Sequence, residues 1–209
     1  MNMLPIFPLN LVVFPHENLN LHIFEPRYKQ LINESLETGM TFGMPAVLNG
    51  KLMSFGTEVE IKELSKRYED GRLDIKTKGR KIFKIVDIKK PFEGKLYASA
   101  QVEFLDNEIN SDFLNPKLFE LVSQFYQLLK IDKDFSPQFP IPFSYQIAHT
   151  IGISLKKEFV LLLIETEAKR QERLLSHLEK IIETMIELER TKERISMNGH
   201  FKEFDPLNF

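Results

Sequence analysis

The sequence contains no cysteine. That excludes disulfides, thiolate metal sites and a cysteine nucleophile, and it suits a reducing compartment. Long apolar runs are also missing. The longest, residues 159–164, is far short of the about 20 residues a bilayer-spanning helix needs. Charge of one sign is scarce too: the formal net charge of -2 over 209 residues gives no global case for nucleic acid or an anionic membrane. The opening residues 1–15 are apolar, but they lack a basic leading segment, are broken by Pro5, Pro8 and Pro15, and run into no small-residue cleavage site, unlike a secretory signal. A soluble cytoplasmic protein is the expectation.

Catalytic templates are lacking as well. There is no Gly-x-x-x-x-Gly-Lys-Ser/Thr to cradle a phosphate, no Gly-x-Ser-x-Gly elbow and no His-Glu-x-x-His. The histidines His16, His22, His149, His177 and His200 are scattered, with no pair four residues apart, and read as structural or surface residues. Glu58 and Glu60 share a strand face, but most such pairs are simply solvated. The chain therefore reads as no enzyme, with no cofactor and no metal.

What is present is the composition of an ordinary folded protein, 43% hydrophobic and 28% charged. The first half reads as short strands with one helix inserted. Leu19, Leu21 and Ile23 alternate with Asn20 and His22, the period-2 pattern of a half-buried strand. Pro26 suits the first turn of a helix, Tyr28, Leu31, Ile32, Ser35 and Leu36 fall on one helical face, and Gly39 supplies a left-handed stop. Strands follow near residues 41–48, 56–64, 72–90 and 97–105. In the third of these Leu73, Ile75 and Thr77 face opposite to Arg72, Asp74, Lys76 and Lys78, and Gly79 marks a bulge or corner. Short strands sharing one core predict a small barrel rather than an open sheet, whose edges would need protection.

Residues 106–112, Asp-Asn-Glu-Ile-Asn-Ser-Asp, read as a linker or hinge. Beyond it the pattern turns helical. Asn115 and Pro116 form a cap and first-turn pair, Ser154 caps a later helix, and a long helix covers about residues 167–195. Two units are expected, 1–107 and 113–209. In the last helix Leu174, Leu178, Ile181, Met185 and Leu188 repeat at heptad spacing, while Leu175, Ile182 and Ile186 widen the stripe toward packing on the chain's own helices. A monomer or weak dimer is expected.

Two runs are more specific: Leu4-Pro-Ile-Phe-Pro-Leu-Asn-Leu-Val-Val-Phe-Pro and Leu21-His-Ile-Phe-Glu-Pro-Arg-Tyr-Lys-Gln-Leu-Ile. Together they closely resemble the amino-terminal domain of the Lon family of ATP-dependent proteases. The resemblance continues through Gly39, Phe42-Gly43, Gly56-Thr57, Asp70-Gly-Arg-Leu-Asp-Ile and Gly79-Arg-Lys-Ile-Phe. It loosens at Ile147-Ala148, Ser154-Leu155 and Arg173-Leu174-Leu175, and departs at Met44-Pro45, where the family usually continues an apolar strand.

The resemblance implies an α+β fold: an amino-terminal PUA-like β pseudobarrel with one inserted helix, then an α-helical subdomain ending in a long helix. It implies recognition of unfolded or partner polypeptides without the family's ATPase and peptidase domains, hence a non-catalytic binding module. Phe7, Phe14, Ile23 and Phe24 are expected in the barrel core, with Glu25 and Arg27 pairing to fix the inserted helix.

Two surfaces are candidates for partners. Residues 62–90 carry eleven Lys or Arg against five Asp or Glu. An RNA-binding strip built on Lys76, Lys78, Arg80 and Lys81 is the alternative function, although aromatics are sparse there and a solvated sheet face is the plainer reading. The tail offers Phe201, Phe204 and Phe209 as partner anchors, since aromatics dominate interface hot spots.

Overall fold

Proline shapes the start of the chain. β1 (Asn2–Pro5) pairs antiparallel with β6 (Ser99–Phe104). Past Pro5 the chain changes partner: Phe7 N donates to Gly43 O at 2.8 Å and Val47 N donates to Leu9 O at 2.8 Å. Pro5 and Pro8 have no N–H to offer, which suits a segment that hands over from one strand to another. These parallel bridges, Ile6 to Gly43 and Leu9 to Ala46, join the stretch that follows β1 to β3 (Phe42–Leu48). The sheet order β1-β6-β5-β4-β3 thereby closes on itself as a pseudobarrel. The computed structural model describes residues 2–91, 94–131 and 136–199, with side chains to 196.

β4 (Lys51–Arg67) and β5 (Leu73–Lys89) form the long hairpin at the centre of the sheet. On its other edge β5 pairs first with β2 (Asn18–Ile23), then with β6. Gly79 lies between the two partners. A Cβ there would sit 2.2 Å from Phe14 O, so only glycine lets the turn before β2 press against the strand. Gly79 is therefore a point of close approach within continuous β5, and it borders a bulge, the register with β4 slipping by one residue between Gly79 and Ile82; it is not a corner. Met44 and Pro45 remain within β3, and the irregularity follows between Pro45 and Val47.

The inserted helix α1 (Pro26–Thr38) buries Tyr28, Leu31, Ile32 and Ser35, one stripe at helical spacing. Gly39 ends it at φ +72°. Phe7 stacks on Tyr28 with ring centres 3.9 Å apart. Phe7, Phe14 and Ile23 are buried as expected, but Phe24 is 61% exposed. Strand alternation explains this correction: Ile23 points inward, so its neighbour must point out. The Glu25–Arg27 pair forms at 2.8 Å. Both side chains are solvated and Arg27 lies over the Tyr28 ring, so the pair decorates the helix start without bridging it to the barrel.

The helical region comprises α2 (Pro116–Leu128), α3 (Phe143–Ile147) with a 3-10 turn at Ala148–Thr150, α4 (Leu155–Leu162) and α5 (Glu167–Gly199). The Asn115 side chain caps α2 by accepting from Lys117 N and Leu118 N. Ser154 occupies the cap position of α4, yet its side chain makes no capping bond. Along α5, Leu174, Leu178 and Ile182 are buried while Leu188 and Ile195 are exposed; the apolar stripe outlasts the surface it packs on. One core cluster joins Val12, Phe14, Ala46 and Ile82 of the barrel to Leu118, Phe143, Ile147, Leu161 and Leu178.

Residues 106–112 are strapped down rather than hinge-like. Asn107 Nδ2 donates to Leu162 O and Ile164 O, each at 3.3 Å. Glu108 O accepts from Arg170 Nη2 at 2.5 Å and its carboxylate caps Glu167 N at 2.7 Å. Among the described residues no helix is long and apolar enough to cross a membrane.

Candidate functional site

The deepest chemistry lies where the barrel meets the helices. The turn after the Val-Val-Phe-Pro run brings His16 N to Gly79 O and Gly79 N to Glu17 O, both at 2.9 Å. This clamps His16 at φ +67°, a left-handed conformation uncommon for a residue with a Cβ. The Phe14 ring, fully buried, stacks on Tyr145 of α3 at 5.0 Å and lies 5.0 Å from His149. Thr57 Oγ1 holds the preceding carbonyl, Val13 O, at 2.5 Å.

His149 bridges the two halves. Its Nδ1 lies 2.9 Å from Glu158 Oε1 and its Nε2 lies 3.3 Å from Glu17 Oε2. The Glu17 oxygen also accepts from Phe14 N at 2.8 Å. Burial pulls the imidazole down, but hydrogen bonds and charge from the two carboxylates outweigh it and push His149 up to about 10. The bridge is therefore cationic at neutral pH.

Beneath it α5 begins with a buried polar network. Arg170, Glu167 and Gln171 are all fully buried. Arg170 Nε donates to Glu167 Oε2 at 2.9 Å and Ser144 Oγ at 3.1 Å, and Nη1 donates to Ile164 O at 2.8 Å. Gln171 Nε2 donates to Glu167 Oε1 and Phe113 O, each at 2.7 Å. The guanidinium sits 4.4 Å from the centre of the Tyr145 ring. Such a network is tolerated because its hydrogen bonds are made.

Above this floor opens a cleft of about 440 Å³ lined by Pro15, His16, Glu17 and Asn18 on the barrel side and by Gln138, Ile141, Tyr145, Gln146, His149 and Thr150 on the helical side. Two of its lining residues carry buried polar atoms with no partner among the described residues, Tyr145 Oη and His16 Nε2. Burial pushes the Tyr145 hydroxyl up, so it stays a neutral donor. Buried polar atoms are almost always hydrogen-bonded; these two are shielded from solvent as well as unpaired, so a ligand in the cleft would reach them only by parting its wall.

The residues singled out in the sequence lie elsewhere. Lys76 pairs with Glu63 at 2.9 Å, and Arg80 pairs with Glu60 at 3.0 Å. Lys81 lies over the Phe104 ring at 5.7 Å. Lys78 is half-buried and has no carboxylate within ion-pair distance among the described residues. Lys76 and Lys78 do share the outer face of β5, but β4 supplies the acids that offset much of the strip. Phe201, Phe204 and Phe209 lie outside the described residues. His16, Glu17, Tyr145 and His149 were missed by sequence reasoning. Glu17 and His149 are 132 positions apart, and no local pattern joins them. Among the described residues no cluster of three His, Asp or Glu side chains is placed to hold a metal.

Comparison with known proteins agrees with this architecture. Residues 3–180 match the family model described as the ATP-dependent protease La (LON) substrate-binding domain. The crystal structure of a Lon N-terminal domain protein from Xanthomonas campestris superposes with a TM-score of 0.66 at 25% identity, covering 84% of this chain and 98% of that one. The N-terminal domain of a Mycobacterium avium complex Lon protease shares the fold, with a TM-score of 0.59 at 12% identity over 85% of this chain and 98% of that one. Comparison with curated proteins gives no match. With the matched segment spanning both the pseudobarrel and most of the helical region, the chain belongs to the family of the Lon substrate-binding domain.

Proposed function

We propose that the chain is a non-catalytic polypeptide-binding module of two lobes, 1–107 and 113–209, that takes a segment of an unfolded or partner protein into the cleft between them. The observation that carries this reading is the pair of orphaned buried atoms, Tyr145 Oη and His16 Nε2, on residues of one cleft. An extended polypeptide offers a carbonyl and an N–H at every residue, the two complements these shielded atoms need once the cleft wall parts to admit it. Pro15, Ile141 and the Tyr145 ring supply apolar wall. Membership of a substrate-binding family supports the same class of ligand. The nucleic-acid alternative is less supported, because Lys76 and Arg80 already hold carboxylates.

Tyr145→Phe tests the reading with two opposed readouts. Removing an unsatisfied buried hydroxyl should raise stability by about 1 kcal/mol. The same change should weaken binding of a fluorescently labelled unfolded casein by about fivefold, as expected for one lost hydrogen bond. A stabilised variant that binds the casein as well as the parent would overturn the assignment of the cleft.

A further inference from the structure

A second cavity, of about 250 Å³, is lined by α4, α5 and Ile153 and shares no residue with the cleft. Ile153, Leu161 and Leu174 give it an apolar wall, and the two leucines are buried. Beside that wall stand Lys157 of α4 and Arg173, His177 and Lys180 of α5. Helical spacing explains the gathering: Arg173, His177 and Lys180 follow one another at intervals of four and three, so they share one face of α5. Among the described residues no Asp or Glu lines the cavity.

His177 turns an acceptor toward one of these cations. Its Nε2 lies 3.0 Å from Ile151 O, and because a carbonyl only accepts, the ring proton sits on that nitrogen. The lone pair on Nδ1 is left facing Lys157 Nζ, 3.5 Å away. Burial, together with the charge of Lys157, holds the imidazole below its usual range. At neutral pH the ring is therefore uncharged, and the ammonium beside it keeps its full charge.

The cations of this cavity have no acid to answer them. Among the described residues Lys157, Arg173 and Lys180 have no carboxylate within ion-pair distance, whereas the acids nearby in sequence are engaged elsewhere: Glu158 by His149 at 2.9 Å, Glu167 by Arg170 at 2.9 Å and Glu179 by Lys117 at 2.5 Å. Glu172, seven residues before Glu179, lies with it on the side of α5 turned to α2. The flanking charges that remain, Lys169 against Glu165 and Glu183, still leave two positive charges in excess. An apolar wall strengthens the field of charges placed against it. We propose that this cavity binds a phosphate group through Lys157, Arg173 and Lys180. The Arg173 fork takes two oxygens and each ammonium takes another, a set that a carboxylate, with one charge and two oxygens, does not fill. So small a cavity admits a single free phosphate or phosphate monoester, not the closely spaced row of a nucleic-acid backbone.

The test uses the full chain at pH 8 in buffer free of phosphate. About 10 mM sodium phosphate should raise the Tm by about 2 °C or more and shift the amide NMR signals of Lys157, Arg173 and Lys180, with no such effect from sodium chloride of equal ionic strength. Acetate should bind at least about tenfold more weakly than phosphate. Lys157→Gln combined with Lys180→Gln should weaken phosphate binding about tenfold or more. Without phosphate the same double variant should melt no lower than the parent, because it relieves crowding of like charge. A twelve-residue phosphoserine peptide and its serine twin distinguish the sources. Tighter binding of the phosphopeptide than of free phosphate, through the same amides, assigns the cavity to a phosphorylated polypeptide; equal or weaker binding assigns it to free phosphate. Tyr145→Phe should leave phosphate affinity unaltered, separating this cavity from the cleft. Phosphate acting no differently from chloride, undiminished binding by the double variant, or tighter binding of a twelve-residue oligothymidylate through the same amides would each overturn the inference.

Discussion

Raising the pH should loosen the joint between barrel and helices through one residue, His149. In the folded chain its imidazole is held at about 10 against an ordinary 6.5. Unscreened, that gap corresponds to at most about 5 kcal/mol, at about 1.4 kcal/mol per pH unit. The side chain is 37% exposed, so solvent screening reduces the expected contribution to about 1–2 kcal/mol. The sign follows from proton binding. Between pH 6.5 and about 10 the folded state holds a proton that the unfolded state has released, so stability falls as pH rises. The contribution is complete below pH 6.5 and gone above about 10. Urea denaturation at intervals from pH 6 to 10.5, run in parallel on the parent and His149→Gln, isolates it from other titrating groups. The parent should lose about 1–2 kcal/mol more than the variant across that range, with unchanged m-values. A pH-independent difference between the two, or an imidazole proton resonance titrating near 6.5, would refute the ion bridge from Glu17 to Glu158.

Three further outcomes follow from packing. Gly79→Ala should destabilise by about 3 kcal/mol or more, because its Cβ would fall 2.2 Å from Phe14 O, a backbone atom that cannot swing aside; a near-normal thermal melt would contradict that contact. Arg170→Met should cost about 3–5 kcal/mol by leaving buried Glu167 unpaired, and a double variant with Glu167→Gln should recover part of it. Phe14→Ala should cost about 3–5 kcal/mol, whereas Phe24→Ala should stay within about 0.5 kcal/mol; equal losses in chemical denaturation would mean that burial has been misassigned.

Elements governed by neighbours a few residues away were legible in the sequence. Pro26 and Gly39 bound α1, Asn115 caps α2, and the alternation at Leu73, Ile75 and Thr77 marks which side of β5 faces the core. The two apolar runs at the amino terminus pointed to the family as well. The same locality misled at Phe24, where a run of large apolar residues concealed the strand alternation that turns Ile23 in and Phe24 out. At Gly79 the bulge was legible, since the register with β4 slips between Gly79 and Ile82, but the close approach of Phe14 O, from a different part of the chain, was not.

The candidate site was out of reach for a related reason. His149 reads as one scattered histidine until folding sets it between Glu17 and Glu158, and no local pattern singles out Glu167 and Arg170, which the strap at 106–112 covers. Tyr145 and His16 become notable only because their polar atoms are buried without partners, a property of the environment and not of residue type. Backbone propensity and side-chain period act within a turn or two, so the sequence alone determined the elements, most of their inward faces and the family. Ion bridges and orphaned atoms arise between segments far apart in the chain, and only the tertiary structure decided those.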